Sequence, residues 1–205
     1  MSIKNVRNIK AIYELASAAE IADGMAWYPV ANDFAATLAE RYGITQSTAI
    51  AVTSALSPRN RWDRNQADSE AVISAYVTGG SEQALLVKAC TFRSNKLKAV
   101  ALLDHDASQL EAVKWDDLLA ILSGPKLREF ANSISGRDDV CIDGHAWCIH
   151  QNERRGLASV PKITAKAREQ IKADYREAAA DLGLKASELQ AITWVAWRRI
   201  HGVTK

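Results

Sequence analysis

Residues 138–150, DDVCIDGHAWCIH, bring carboxylates, two cysteines and two histidines into one short stretch. Asp143 draws attention because it follows the apolar run Val140-Cys141-Ile142 and precedes Gly144, where a helix is expected to start. Asp is a favoured N-cap residue. A carboxylate held at the mouth of a cleft can also stabilise a developing cation or activate an attacking group. The two roles are compatible. His145 fits a structural hydrogen-bonding role or a proton-transfer role, and Trp147, four residues beyond Asp143, lines either a pocket or the core. Cys141, His145, Cys148 and His150 invite a zinc reading. Only His145 and Cys148 share a helical face, however, and structural zinc needs four convergent ligands. No metal is expected.

A second group begins at Lys126, directly after Gly124-Pro125. Proline favours the first position of a helix, so Lys126 falls in a first turn. There the helix dipole lowers an amine pKa, and desolvation would add to the effect. A neutral lysine is a nucleophile toward a sugar carbon; a charged one is a surface residue. Arg59, Arg61 and Arg64 cluster after Ser57-Pro58 with Asn60 among them, and Arg93, Lys96 and Lys98 form another basic group. Each suits phosphate contact or a solvated turn. Of the six tryptophans, Trp194 and Trp197 share a helical stripe with Leu189 and Ile200 and are expected in the core. Arg198-Arg199 suits a helix end or a phosphate.

The elements that must position these residues are helical. Ile9, Ile12, Tyr13, Ala16 and Ala19 recur at three-four spacing, which predicts a helix over 3–20. Further helices are predicted over about 30–42, from 45 to Ser57-Pro58, over 62–77 closed by Gly79-Gly80, and near 82–90 and 94–104. Others follow over 115–122, 126–135, 144–153, 164–182 and 186–201. The VCI segment reads as an extended linker without strand partners. An all-α fold of about ten helices is expected.

The chain has 205 residues, long enough for a substantial core, and 48% hydrophobic with 24% charged residues suits a globular chain. A net charge of +2 leaves any basic surface to local arrangement. No apolar run reaches the roughly 18 residues of a membrane span. The N-terminus lacks a secretory apolar region. Three cysteines without paired spacing agree with a reducing compartment. A cytoplasmic protein with no membrane partner is expected.

Four segments in order resemble the helix-hairpin-helix DNA glycosylase superfamily, which includes endonuclease III-like enzymes. They are AVTSALSPRNRWDRNQADSEAVISAY at 51–76, TFRSNKLKAVALL at 91–103, LLAILSGPKLREFANSI at 118–134 and DVCIDGHAWCI at 139–149. The closing helix LQAITWVAWRRIHG is similar to the family's last helix. The resemblance implies a two-lobed all-α fold around a shortened helix-hairpin-helix, with lobes of about 45–137 and of 1–44 plus 138–205. By position, Lys126 matches the lysine nucleophile of bifunctional members and Asp143 the catalytic aspartate, with His145 beside it. The implied partner is DNA bearing a damaged or modified base, met by Ser57, Arg59, Asn60, Arg61, Arg64, Lys96 and Gly124. The base would be turned out into a cleft between lobes near Trp147. The hairpin, Leu122-Ser123-Gly124-Pro125-Lys126, is shorter than the family's Leu-Pro-Gly-x-Gly-x-Lys, and Pro125 removes an amide of the kind that grips phosphate. The chain stops near where the family's four cysteines begin, so no iron–sulfur cluster or other cofactor is expected. SPRNRW and IDGHAW also look similar to phage and actinobacterial proteins. The same fold therefore leaves open a modified-pyrimidine nucleotide transferase of pyrophosphorylase type, or a non-catalytic DNA- or partner-binding module.

Overall fold

The computed structural model describes residues 3–108 and 112–203. Among them are ten α-helices, one short 3-10 turn at Leu157–Ser159 and no strand. The fold is all-α. No helix among the described residues is long and apolar enough to cross a membrane. The chain divides into two compact units, residues 1–30 with 136–205, and residues 31–135.

The first unit holds α1 (Ile3–Glu14), the start of α2 (Ala18–Tyr42), α8 (Gly144–Gln151), α9 (Ala165–Leu182) and α10 (Ala186–Ile200). Helix α1 packs on α8, α9 and α10. Ile9, Ile149, Ile171, Tyr175, Leu189 and Trp197 form their shared core. The VCI segment runs through that core as an extended, strandless linker, with Val140 and Ile142 fully buried. Buried peptide groups need partners. Here Arg168 Nη1 donates to the Ile142 carbonyl at 2.7 Å, and the Val140 N–H donates to Asp139 Oδ1 at 2.8 Å.

The second unit holds the rest of α2 with α3 (Gln46–Leu56), α4 (Trp62–Leu86), α5 (Arg93–Ser108), α6 (Trp115–Leu122) and α7 (Pro125–Ile134). Helix α3 is buried from Thr48 to Leu56 and packs against α4, α5, α6 and α7. A helix buried on every side belongs at the centre of its unit.

Three helix limits depart from the expectation. The helix predicted over 3–20 breaks at Leu15–Ser17, because Ser17 and Glu20 form a capping box. The Glu20 carboxylate accepts the Ser17 N–H at 2.8 Å and Ser17 Oγ accepts the Glu20 N–H at 3.3 Å. Helix α2 then starts at Ala18, not near 30, and carries Pro29 inside it. Helix α4 resumes after a break at Gly79-Gly80, where Gly80 takes a φ of 71° that glycine tolerates without strain. The piece beyond the break ends at Leu86.

Candidate functional site

The start of α8 is built around its cap. Asp143 takes a β-region backbone, φ −112°, and its Oδ1 accepts the Ala146 N–H at 2.9 Å. The preceding residue is anchored through the Arg168 bond described above. At the following residue, Gly144, a Cβ would come within 2.8 Å of Leu157 Cδ2, the end of an exposed side chain that can move aside. Asp143 is thus held by its own cap and by the anchored residue before it, and it stays half-buried. His145 and Trp147 on the first turn are half-buried too. The His145 ring lies 6.5 Å from Trp194, whose ring meets Trp27 edge-on at 6.2 Å. Arg155 covers Trp147 at 5.2 Å and Arg198 covers Trp194 at 4.4 Å. Burial pulls the Arg198 guanidinium below its ordinary pKa.

The expected core position of both C-terminal tryptophans holds for Trp197 alone. Trp194 stays half-exposed, facing Arg198. Arg199 donates to Glu20 Oε1 at 2.6 Å and to the Leu15 carbonyl at 2.8 Å, closing the end of α1.

Other reactive groups of this unit are tied up. Burial pushes the Cys148 thiol above its usual pKa, which is opposite to what a nucleophilic thiolate needs. His150 is buried, with Nε2 2.7 Å from Asp174 Oδ2 and Nδ1 2.8 Å from the Gln151 amide nitrogen. Both ring nitrogens are engaged within the protein. Among the described residues no group of three His, Cys, Asp or Glu is placed to hold a metal ion.

In the second unit, α6 and α7 join through Ser123 and Gly124 alone. Ser123 is left-handed, φ 53°. The Gly124 N–H donates to the Leu122 carbonyl at 2.7 Å, and Pro125, first residue of α7, has no N–H to offer. Arg128 Nε donates to the Leu119 carbonyl at 2.8 Å, closing α6. Lys126 follows at the second helical position, half-buried.

The basic residues after Ser57-Pro58 are organised by Asp68, a residue the sequence reading passed over. It is only 3% exposed. Its Oδ1 accepts Arg64 Nε at 2.8 Å, and its Oδ2 accepts Asn60 Nδ2 at 2.9 Å and the Cys90 N–H at 2.7 Å. Burial pushes the Asp68 carboxyl upward, but these three donors outweigh it and hold the pKa below the ordinary value. The same contacts draw the loop before α4 against the segment before α5. Thr91 Oγ1 donates to the Pro58 carbonyl at 3.3 Å, and the Arg59 guanidinium lies 5.1 Å from the centre of the Phe92 ring. Arg59 holds a φ of 61°, uncommon for a non-glycine residue. Ser57 Oγ donates to the Ser54 carbonyl. Lys96 Nζ donates to the Leu85 and Val87 carbonyls at 2.6 and 2.9 Å, ending α4 and not projecting freely. Beside it is an open hollow of about 420 Å³ lined by Leu85, Ala89, Thr91, Arg93, Lys96 and Leu97.

The structure therefore gathers Arg59, Asn60, Arg64 and Lys96 into one region and Asp143, His145 and Trp147 into another. Lys126 belongs to the second unit and Asp143 to the first. The sequence model of a family of unknown function, DUF7178, matches residues 2–201. The chain belongs to that family. No curated protein and no solved structure matches it.

A signal for Asp68 existed in the sequence. Asn60, Arg64 and Asp68 recur at intervals of four, which brings an acid, a base and an amide onto one side of α4 and its approach. Phe92, half-exposed beside Arg59, carried no comparable pattern.

Proposed function

We propose that this protein acts on DNA as a glycosylase-type enzyme, cleaving the N-glycosidic bond of a damaged or modified base. Asp143 stabilises the sugar cation, and Lys126 is the candidate nucleophile. The observation that carries the reading is the setting of Asp143. One carboxylate oxygen is engaged by the α8 cap, the preceding carbonyl is held by Arg168, and the residue remains only half-buried. An acid pre-positioned in this way loses little on meeting positive charge, and breaking a glycosidic bond generates an oxocarbenium-like sugar. Lys126 stands one residue beyond the proline that opens α7, in the first turn of that helix, and its amine is the group a Schiff base would use.

The test is a panel of oligonucleotides bearing uracil, oxidised, alkylated and hydroxymethylated bases, scored for base release and strand nicking. Asp143→Asn is expected to lower turnover by at least about 100-fold. Release of no base from any substrate by the unmodified protein sinks the reading. Borohydride trapping on abasic DNA tests Lys126 separately, with Lys126→Ala expected to abolish the adduct.

The α6–α7 turn favours a second reading. Its Gly124 amide is already bonded and Pro125 has none, so two of the amides that could meet a duplex phosphate are closed to it. A transferase that adds to a modified pyrimidine nucleotide needs no such grip. Its product is an intact, heavier nucleotide rather than a free base.

A further inference from the structure

The surface formed by residues 57–64 and 87–98 carries more charge than the chain as a whole. These two segments contain Arg59, Arg61, Arg64, Lys88, Arg93, Lys96 and Lys98 against the single acid Asp63, in a protein whose net charge is only +2. They are one surface because Asp68 and the Thr91–Pro58 bond pin them together. Arg59, Arg61, Arg64, Lys88 and Arg93 are all exposed. Among these cations is an aromatic ring in an unusual place. Phe92 is 49% exposed, and the Arg59 guanidinium stands over it at 5.1 Å.

A ring left open to solvent within a basic patch matches one class of ligand. Phosphates alone would call for cations without the ring, and an apolar protein partner would call for the ring without this density of charge. A polyanion that also presents flat π-faces uses both. In a duplex those faces are stacked on one another and are out of reach of a side chain at the surface. The Arg59–Phe92 pair adds a second flat cationic plane on which an unpaired base can stack. Arg59 is held at this tip in a left-handed conformation, and the braced loop keeps it there.

We propose that this surface docks single-stranded nucleic acid, an unpaired base stacking on Phe92 and Arg59 while Arg61, Arg64, Lys88 and Arg93 meet the phosphates. It shares with the glycosylase reading a nucleic-acid partner and the contacts of Arg59, Arg61 and Arg64, and it assigns a role to Phe92 that does not depend on glycosidic chemistry.

Fluorescence anisotropy of the full chain tests it, using labelled oligothymidylate, a duplex of the same length, and heparin as a polyanion without bases. Oligothymidylate is expected to bind more tightly than the duplex, losing affinity steeply between about 50 and 200 mM salt. Phe92→Ala is expected to weaken it about tenfold with the salt slope kept, and Phe92→Trp to restore it. Arg93→Gln is expected to lower the slope by about 0.7. Phe92 is half-exposed, and the Trp variant keeps an aromatic ring should the Ala variant misfold. The proposal is overturned if Phe92→Ala binds like the parent, if heparin binding falls equally in that variant, or if the duplex is preferred. Because the assay reads binding alone, an inactive chain that still prefers single strands sinks the glycosylase reading and keeps this surface.

Discussion

Asp143 and Asp68 are both acids that accept a backbone N–H, one in each unit, and they leave very different amounts of carboxylate available. Asp143 takes one amide and stays half-exposed. Asp68 takes an amide, an Asn side chain and a guanidinium, and is almost wholly buried. A buried carboxylate with both oxygens engaged by three donors has little left for a substrate. It can serve only as a brace. One with a single engaged oxygen is oriented and still open. Acidity alone therefore does not mark an available carboxylate; the count of donors around it does.

The largest effect should come from breaking the brace. Asp68→Ala strands three donors at once, and about 3 kcal/mol of stability should be lost, read as a lower urea midpoint. Faster hydrogen exchange at the Cys90 amide should accompany it, because that N–H loses its only acceptor of this kind. An unchanged midpoint would make the loop self-supporting and the contrast with Asp143 empty. The same residue gives a pH signature. Its folded pKa lies below the usual 3.8, so its contribution is fully present above that value and is lost as pH falls through the depressed one. Asp68→Asn should flatten this acid limb only in part, because Glu20, hydrogen-bonded by Arg199, is depressed as well.

Most of the helices could be read from the sequence because their ends carry chemical punctuation. Thr45 caps α3 and Thr164 caps α9, Gly183 closes α9, and Pro125 opens α7. Helix α2 could not, because a glycine at 24 and a proline at 29 are residues that ordinarily interrupt a helix, and both lie inside it. Gly24 is there for another reason, a close approach of α10. A Cβ at that position would lie 2.5 Å from Ile192 Cα, and no local pattern reports a neighbour so distant in sequence. The reading of the site was limited in the same way. Asp143 was visible because apolar residues flank it, whereas Asp68 sits among polar residues and looks like part of a solvated face until its partners are in view.

That close approach supplies the next test. Gly24→Ala forces backbone against backbone in the first unit and should cost about 2 kcal/mol, seen as a lower melting temperature. The damage is expected near Trp27 and Trp194, which sit on the same two helices, α2 and α10. Tryptophan fluorescence should report it, with the Asp68 brace in the second unit unaffected. Loss of the Cys90 amide protection in this variant would mean that the two regions are not independent.

The smallest effect discriminates most sharply between the two acids. Asp143→Ala removes the α8 cap and should cost about 1 kcal/mol. Asp143→Asn keeps an oxygen that can accept the Ala146 N–H, so stability should stay within a few tenths of a kcal/mol of the parent. Asp68 cannot be replaced so cheaply, because Asn puts an N–H₂ where one acceptor oxygen was, facing either the Arg64 donor or the Asn60 and Cys90 donors. If Asp143→Asn were as destabilising as Asp68→Asn, the Asp143 carboxylate would have to be bracing the fold through its charge. It would then be no more open to a substrate than the buried acid. If it is nearly silent in stability and severe in turnover, the charge at the start of α8 is there for something other than folding.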